Sequence, residues 1–379
     1  MNIGFDGKRA FHNFRGLGNY SRNLIQGLIQ YYPDHCYTAF TPDFSDSRAH
    51  QWQTKVPELN IVKPVGLINE KLPSIWRSQF MTKSLQHESI QLYHGLHHEL
   101  PAGIQDSKIK SLVTVHDVLF LRFPQFHSKI NRIIYTRKLK SSCNRADVVI
   151  AISEQTKQDL IDFLQVPEEK IEVIYQSCEE KFFDEITESQ RIDVRNKYNL
   201  PERYLLYVGA LTPSKNLENL LQAFNQLQSD ERDVHLVLAG VGGLEKTLKQ
   251  QSKDWKIEQK VHFPGFIDNA DLPVFFGTSS IFVYPSLFEG FGIPIIEALA
   301  TGVPVITSTD SCFAEAGGAS SVYVDPQNAD QLCEEIKTVL KSDEKINLMS
   351  EQGRQHVQQF HPQKTTENMM SLYQRVVGY

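Results

Sequence analysis

No run of about 18 apolar residues occurs in this chain, so no segment is built to cross a bilayer as a helix. The opening residues, Met1-Asn2-Ile3-Gly4-Phe5-Asp6, read as a strand and lack the longer apolar core of a secretory leader. Cysteine is scarce: five residues among 379, scattered, odd in number and without a Cys-x-x-Cys pair. Buried reduced thiols in a cytoplasmic protein are expected, not a disulfide framework. Asp-x-Asp does not occur, and the 13 histidines suggest no metal-ligand spacing with carboxylates, so no metal site is expected. Low-complexity segments are missing too. Net charge is acidic, −6, and no nucleic-acid motif is present, which argues against DNA or RNA as a partner.

What is present fits a globular protein: 41% hydrophobic and 22% charged residues, over a length that suggests two domains. Charge is uneven. Residues 1–182 carry 22 Lys+Arg against 19 Asp+Glu, and the remainder 17 against 26, which points the first half toward an anionic surface partner. Short apolar runs alternate with helical periodicities through both halves, the pattern of doubly wound α/β domains. In the first half, strands are expected at 1–5, 37–41, 60–63, 90–94, 111–115, 147–152 and 170–175. Helices are expected at 16–31, 73–88, 126–146 and 153–164, with 6–15 as a loop. The pattern restarts with strands at 204–208, 234–239, 260–263, 281–284 and 303–306. The expected division is 1–182, a linker at 183–203, 204–360, and a last helix at 361–379.

The stretch richest in chemistry is Pro285-Ser286-Leu287-Phe288-Glu289-Gly290-Phe291-Gly292-Ile293-Pro294, running on to Glu297. It follows an apolar strand and opens a helix in which Pro294 suits the first turn. Free N–H groups and the positive dipole end favour an anionic ligand there. Glu289 and Glu297 flank the turn. Glu297 also reads as a first-turn acid that complements the dipole, and Glu289 as a solvated loop residue. Gly16 and Gly18, between first strand and first helix, suit either a phosphate cradle or a tight turn with close helix packing. His116 and Asp117 end the strand at 111–115, where open α/β sheets bind ligands, though a structural histidine fits equally. Lys215, in Val208-Gly209-Ala210-Leu211-Thr212-Pro213-Ser214-Lys215-Asn216, suits a pyrophosphate or a solvated surface. The segment 126–146 carries six cations and no acid, with Ile130, Ile133, Ile134 and Leu139 as an apolar face. It reads as a solvated charged face over a core stripe, or as a contact for anionic lipid head groups or a polyprenyl-phosphate-linked acceptor.

Glu289-x7-Glu297 with GFGIP between and EALATGVPVI following, together with VTVHD, VGALTPSKN and the Gly16-Leu17-Gly18 turn, resembles the retaining, nucleotide-sugar-dependent glycosyltransferases of family 4, nearest their mannosyl-type members. The resemblance covers nearly the whole chain and implies a GT-B fold, two Rossmann-like domains facing a central cleft. It implies transfer of a hexosyl unit, with mannosyl the leading candidate, from a GDP- or UDP-linked donor to a glycan or lipid-linked acceptor. Retention, metal independence and a place in cell-surface polysaccharide or lipopolysaccharide synthesis go with it, and the nucleotide-sugar is a substrate, so no cofactor is implied.

By the same resemblance, Glu289 and His116 lie against the donor sugar as catalytic groups. Lys215, Gly16, Gly18, Gly290 and Gly292 hold the phosphates, and Glu297 holds the ribose hydroxyls. Phe291, Gly292 and Ile293 line the sugar, and Phe266 and Ile267 bracket the base. Localisation is expected to be cytoplasmic, with peripheral contact to the inner membrane face through 126–146. Two departures stand out: Ala210 and Ser214 occupy positions where related chains often carry arginine. A nucleotide-sugar epimerase of GT-B fold and a non-catalytic sugar-nucleotide-binding protein are the alternatives.

Overall fold

The computed structural model describes residues 1–66, 70–126 and 128–378. His127, within the segment expected to be helical at 126–146, and residue 379 lie outside the described residues. The chain forms two compact units, 1–177 with 362–379, and 178–361.

The first unit is built on a sheet of seven parallel strands: β1 Asn2–Asp6, β2 Cys36–Phe40, β3 Asn60–Val62, β4 Leu92–Gly95, β5 Lys110–Val115, β6 Val148–Ala151 and β7 Ile171–Val173. Their order is β3-β2-β1-β4-β5-β6-β7. Alternate residues feed two cores, as expected for strands with side chains on both faces. Leu92, Leu112 and Ile150 join one core. Tyr93, Val113 and Val149 join the other. The last helix, Pro362–Val377, returns to this unit, where Met369, Met370 and Tyr373 pack into the core that holds Leu24, Ile25 and Leu28 of the helix Gly16–Tyr31. Gly27 lets the two helices close up, since a Cβ there would meet the Thr366 hydroxyl.

The second unit holds six parallel strands: β8 Tyr204–Val208, β9 His235–Ala239, β10 Val261–Gly265, β11 Ile281–Tyr284, β12 Val305–Ser308 and β13 Val322–Val324. Their order is β10-β9-β8-β11-β12-β13. In each sheet the order reverses once, between β1 and β4 and between β8 and β11. Such a reversal leaves a crevice at the carboxyl ends of the two strands, where open α/β sheets take their ligands.

Several expectations need correction. The 6–15 segment is not all loop: Lys8–His12 forms a short helix that buries Ala10 and Phe11. The 183–203 segment is not a free linker. It lies inside the second unit and carries the helix Glu188–Tyr198, fixed by a capping box between Thr187 and Gln190. The unit boundary falls before Cys178, whose thiol is buried. The 73–88 helix is broken by a π-turn, Trp76–Phe80. Strand β12 begins at Val305, two residues later than expected. Strand β13 and the helices Ser47–Gln53 and Glu245–Asp254 went unread; β13 is only three residues long, too short to show alternation.

Candidate active site

At the reversal point of the second unit, the loop after β8 meets the loop after β11. The Leu287 N–H donates to the Ser214 carbonyl at 2.9 Å and ties them together. Lys215 ends a one-turn helix, Pro213–Lys215, and Asn216 turns the chain through a left-handed conformation into the helix Leu217–Leu227. That geometry points the lysine back across the crevice, where its ammonium is ion-paired with Glu289. Tyr284, the last residue of β11, completes a triangle. Its hydroxyl accepts from Lys215 Nζ at 3.2 Å and donates to Glu289 Oε1 at 3.0 Å. Burial works against the Lys215 ammonium, yet the Glu289 carboxylate beside it leaves its pKa above the usual lysine value.

The Glu289 backbone is held as firmly as its side chain. Ser311 Oγ donates to the Glu289 carbonyl at 3.1 Å, and Cys312 Sγ donates to the Phe291 carbonyl at 2.7 Å. Gly292 adopts φ 120°, a conformation other residues avoid, and caps the helix Ile293–Ala300 with Pro294 in its first turn. Ile293 is half-buried there, and Gly290 is half-buried in the loop. The Phe291 ring is buried edge-on against Phe360 at 5.3 Å, so what this residue can offer a sugar is backbone, not side chain.

Glu297 does not stand in the first turn of its helix, so dipole complementation does not account for it. Among the described residues no group hydrogen-bonds its carboxylate. Burial, with Glu179 nearby and Lys181 opposing, pushes its pKa up to about 8. A half-buried acid with unused acceptors is suited to hydroxyl donors such as a ribose diol. Of the base-bracketing pair, Phe266 is 73% exposed and Ile267 only 5%, so only the phenyl ring is open to a ligand. Ala210 is exposed, and Ser214 contributes its backbone carbonyl.

The first unit treats its candidate differently. His116 is buried, and both ring nitrogens are used: Nε2 donates to the Leu96 carbonyl at 2.9 Å, and Nδ1 accepts from the Gln176 amide at 2.9 Å. Burial and the neighbouring His98 push its pKa down to about 4. The imidazole is therefore neutral, with the proton on Nε2. Gly18 is also committed. Its N–H donates to Arg15 O at 2.9 Å, and a Cβ would collide with the Asn13 carbonyl, so close packing explains this glycine. Gly16 stands in open space. The segment His94-Gly95-Leu96-His97-His98-Glu99 was overlooked in the sequence, although adjacent histidines beside an acid were a readable signal. His97 and His98 stack at 4.3 Å, and His98 Nε2 accepts the His116 N–H at 2.9 Å. Tyr284, Ser311 and Cys312 were also missed; of these only Tyr284, closing an apolar strand, could have been read.

Two family models together match most of the chain: "Glycosyltransferase Family 4" over residues 14–178 and "Glycosyl transferases group 1" over residues 188–356. The chain belongs to the family 4 glycosyltransferases. Among its relatives is an O-antigen chain mannosyltransferase B of Escherichia coli, 29% identical over 74% of this chain and 74% of the relative. Another is the O-antigen chain mannosyltransferase RfbU of Salmonella typhimurium, 30% identical over 60% of each chain. Sucrose-phosphate synthase from Thermosynechococcus elongatus shares the fold over 100% of this chain and 99% of its own, with TM-score 0.79 at 21% identity. Anabaena HepE, solved with UDP and glucose, gives TM-score 0.76 at 18% identity, over 99% and 100%. The fold of this family 4 enzyme is thus GT-B, with two Rossmann-like units. No helix among the described residues is long and apolar enough to cross a membrane.

Proposed function

We propose that this glycosyltransferase moves a mannosyl unit from a GDP- or UDP-linked donor to a glycan or lipid-linked acceptor, with retention, in cell-surface polysaccharide or lipopolysaccharide synthesis. The observation that carries the reading is the Lys215–Glu289–Tyr284 triangle at the reversal point of the second unit. A diphosphate arriving there competes with Glu289 for the lysine. Lys215 then neutralises the leaving group, assisted by N–H groups at the start of Ile293–Ala300. Glu289, released toward the sugar, stabilises positive charge developing at the anomeric carbon. Glu297 receives the ribose hydroxyls. The bond from the anomeric carbon to the diphosphate oxygen breaks, the bond to the acceptor oxygen forms on the same face, and the acceptor's proton passes to the departing diphosphate.

Lys215 supplies cationic charge that a metal ion supplies in other transferases, and the sequence lacks Asp-x-Asp. Transfer is therefore expected to proceed in excess EDTA; activity lost on chelation and restored by Mg²⁺ or Mn²⁺ would overturn metal independence. The mannosyl assignment leans on the O-antigen relatives. A panel of nucleotide-sugars screened by thermal stabilisation, followed by NMR of the product anomer, tests the rest. Stabilisation by no mannosyl donor, product formed without acceptor, or an inverted anomer would each remove the corresponding part.

A further inference from the structure

The reversal point of the first unit holds a cavity of about 380 Å³, between the loop after β1 and the loop after β4. Most of its charged wall is self-neutralised. Arg77 bonds Asp6 at 3.1 Å and also pairs with Glu99, which Lys138 reaches at 3.3 Å. Asp117 accepts the Leu119 N–H at 3.0 Å. Two cations on the same wall are left over. The half-buried side chains of Lys8 and Arg9 make no ion pair or hydrogen bond among the described residues. Burial, and then the charge of Arg77, hold the Lys8 pKa below its usual value, so its surroundings resist this ammonium. Beside them, His97 Nδ1 is buried with no hydrogen-bond partner. A wall with unpaired cations and one unsatisfied imidazole nitrogen is suited to an anion with several acceptor oxygens.

We infer that this cavity takes a phosphate or diphosphate group carried by the acceptor, held by Lys8 and Arg9 with His97 donating from Nδ1. The inference rests on the reading that the second unit takes the donor, which leaves this site to the other substrate. The group could belong to a free sugar phosphate or to a lipid-linked diphosphate.

The test uses the full chain carrying Lys215→Gln, so that the second unit's cation does not contribute, and inorganic pyrophosphate as the probe in titration calorimetry. One site is expected, and its dissociation constant should rise at least tenfold when Lys8→Gln and Arg9→Gln are added together, and severalfold for each alone. Exchanging the exposed Lys140 for Gln should change nothing. Thermal melts accompany each variant; if the double variant melts early, the single variants decide. Comparing geranyl diphosphate with mannose 1-phosphate on the same chain separates the lipid-linked source from the free one. Pyrophosphate binding that disappears with Lys215→Gln alone, or that ignores Lys8 and Arg9, overturns the inference. Nucleoside diphosphate binding to the unaltered chain reports separately on the donor site, so failure of that reading has its own signature.

Discussion

In the second unit, the loops that meet at the sheet's reversal point bring one cation and one carboxylate together and pair them, Lys215 with Glu289. In the first unit, the equivalent loops pair Arg77 with two acids and leave Lys8 and Arg9 unpaired. The same topology therefore yields two electrostatic states. A paired crevice avoids an uncompensated buried charge while empty, and a ligand must compete for each partner. An unpaired crevice stores its affinity as repulsion that a ligand relieves. The difference matters for chemistry, because a group released only when donor arrives can act more strongly in the transition state than in the ground state.

The sharpest way to break the comparison is Lys215→Gln. It removes the diphosphate's cation and leaves the Glu289 carboxylate, among the described residues, with Tyr284 as its one hydrogen-bond partner. A fall in kcat/KM of about 10²–10³ is expected, the scale seen when a preorganised charge-stabilising donor is lost. Steady-state kinetics check it; a loss under threefold would mean the triangle is structural.

Next in size are the two glutamates. Glu289→Gln should lower kcat by about 10–100-fold with little change in KM, since its charge acts on the reacting carbon. Glu297→Gln should mainly raise donor KM, by a factor matching about 1.5–3 kcal/mol of charge-assisted hydrogen bonding. Identical, purely KM effects would remove Glu289 from catalysis. His116→Ala sharpens the contrast between units. Removing it strands the Gln176 amide and the Leu96 carbonyl, so a melting-point loss matching about 1–3 kcal/mol should accompany any loss of kcat. A kcat loss without destabilisation would show the imidazole to act on substrate more than on its neighbours.

The fold was largely legible because parallel strands buried on both faces announce themselves as apolar runs, and glycine punctuation marks the loops between them. The charge triangle was legible in part. Glu289 and Lys215 lie in recognisable loops, but 74 residues separate them, and only the reversal of strand order brings them together. Gly18 and His116 are hard to read from sequence for the opposite reason. Their residue types suit a ligand site, while the Asn13 carbonyl, Gln176 and Leu96, all distant in spacing or featureless in sequence, occupy them first.

The helix Lys129–Arg145 shows a related failure. A core stripe was one reading of its isoleucines, yet Ile130, Ile133 and Ile134 are 71%, 53% and 45% exposed, and only Leu139 of the expected face is buried. Three solvent-facing isoleucines among cations without an acid fit an anionic bilayer surface. Ile133→Ser with Ile134→Ser should weaken sedimentation with anionic liposomes by about tenfold, taking about 1 kcal/mol or less for each lost apolar side chain at a surface. Melting should not change. Binding that persists in both chains, or that ignores salt and lipid charge, would return the helix to a solvated face.

The smallest effect concerns Glu297 without any ligand. Its pKa in the folded chain is about 8, against an ordinary value of 4.5. Below pH 4.5 the carboxyl is protonated in both folded and unfolded chains and contributes no difference. Between 4.5 and 8 the unfolded chain releases the proton while the folded chain retains it, so rising pH favours unfolding; above 8 the loss is complete. Gln cannot ionise. Glu297→Gln should therefore match the unaltered chain below pH 4.5 and become more stable than it by about 1 kcal/mol, an ordinary size for one substitution, toward pH 9. Ribose hydroxyls donating to the carboxylate would favour its ionised form, so saturating nucleoside diphosphate should lower the pH at which the two chains diverge. Melting curves of both chains from pH 4 to 9, with and without nucleotide, measure it. A stability difference that is the same at pH 5 and pH 9 would mean that Glu297 is already ionised when empty, and that its acceptors are satisfied by water instead of waiting for a sugar.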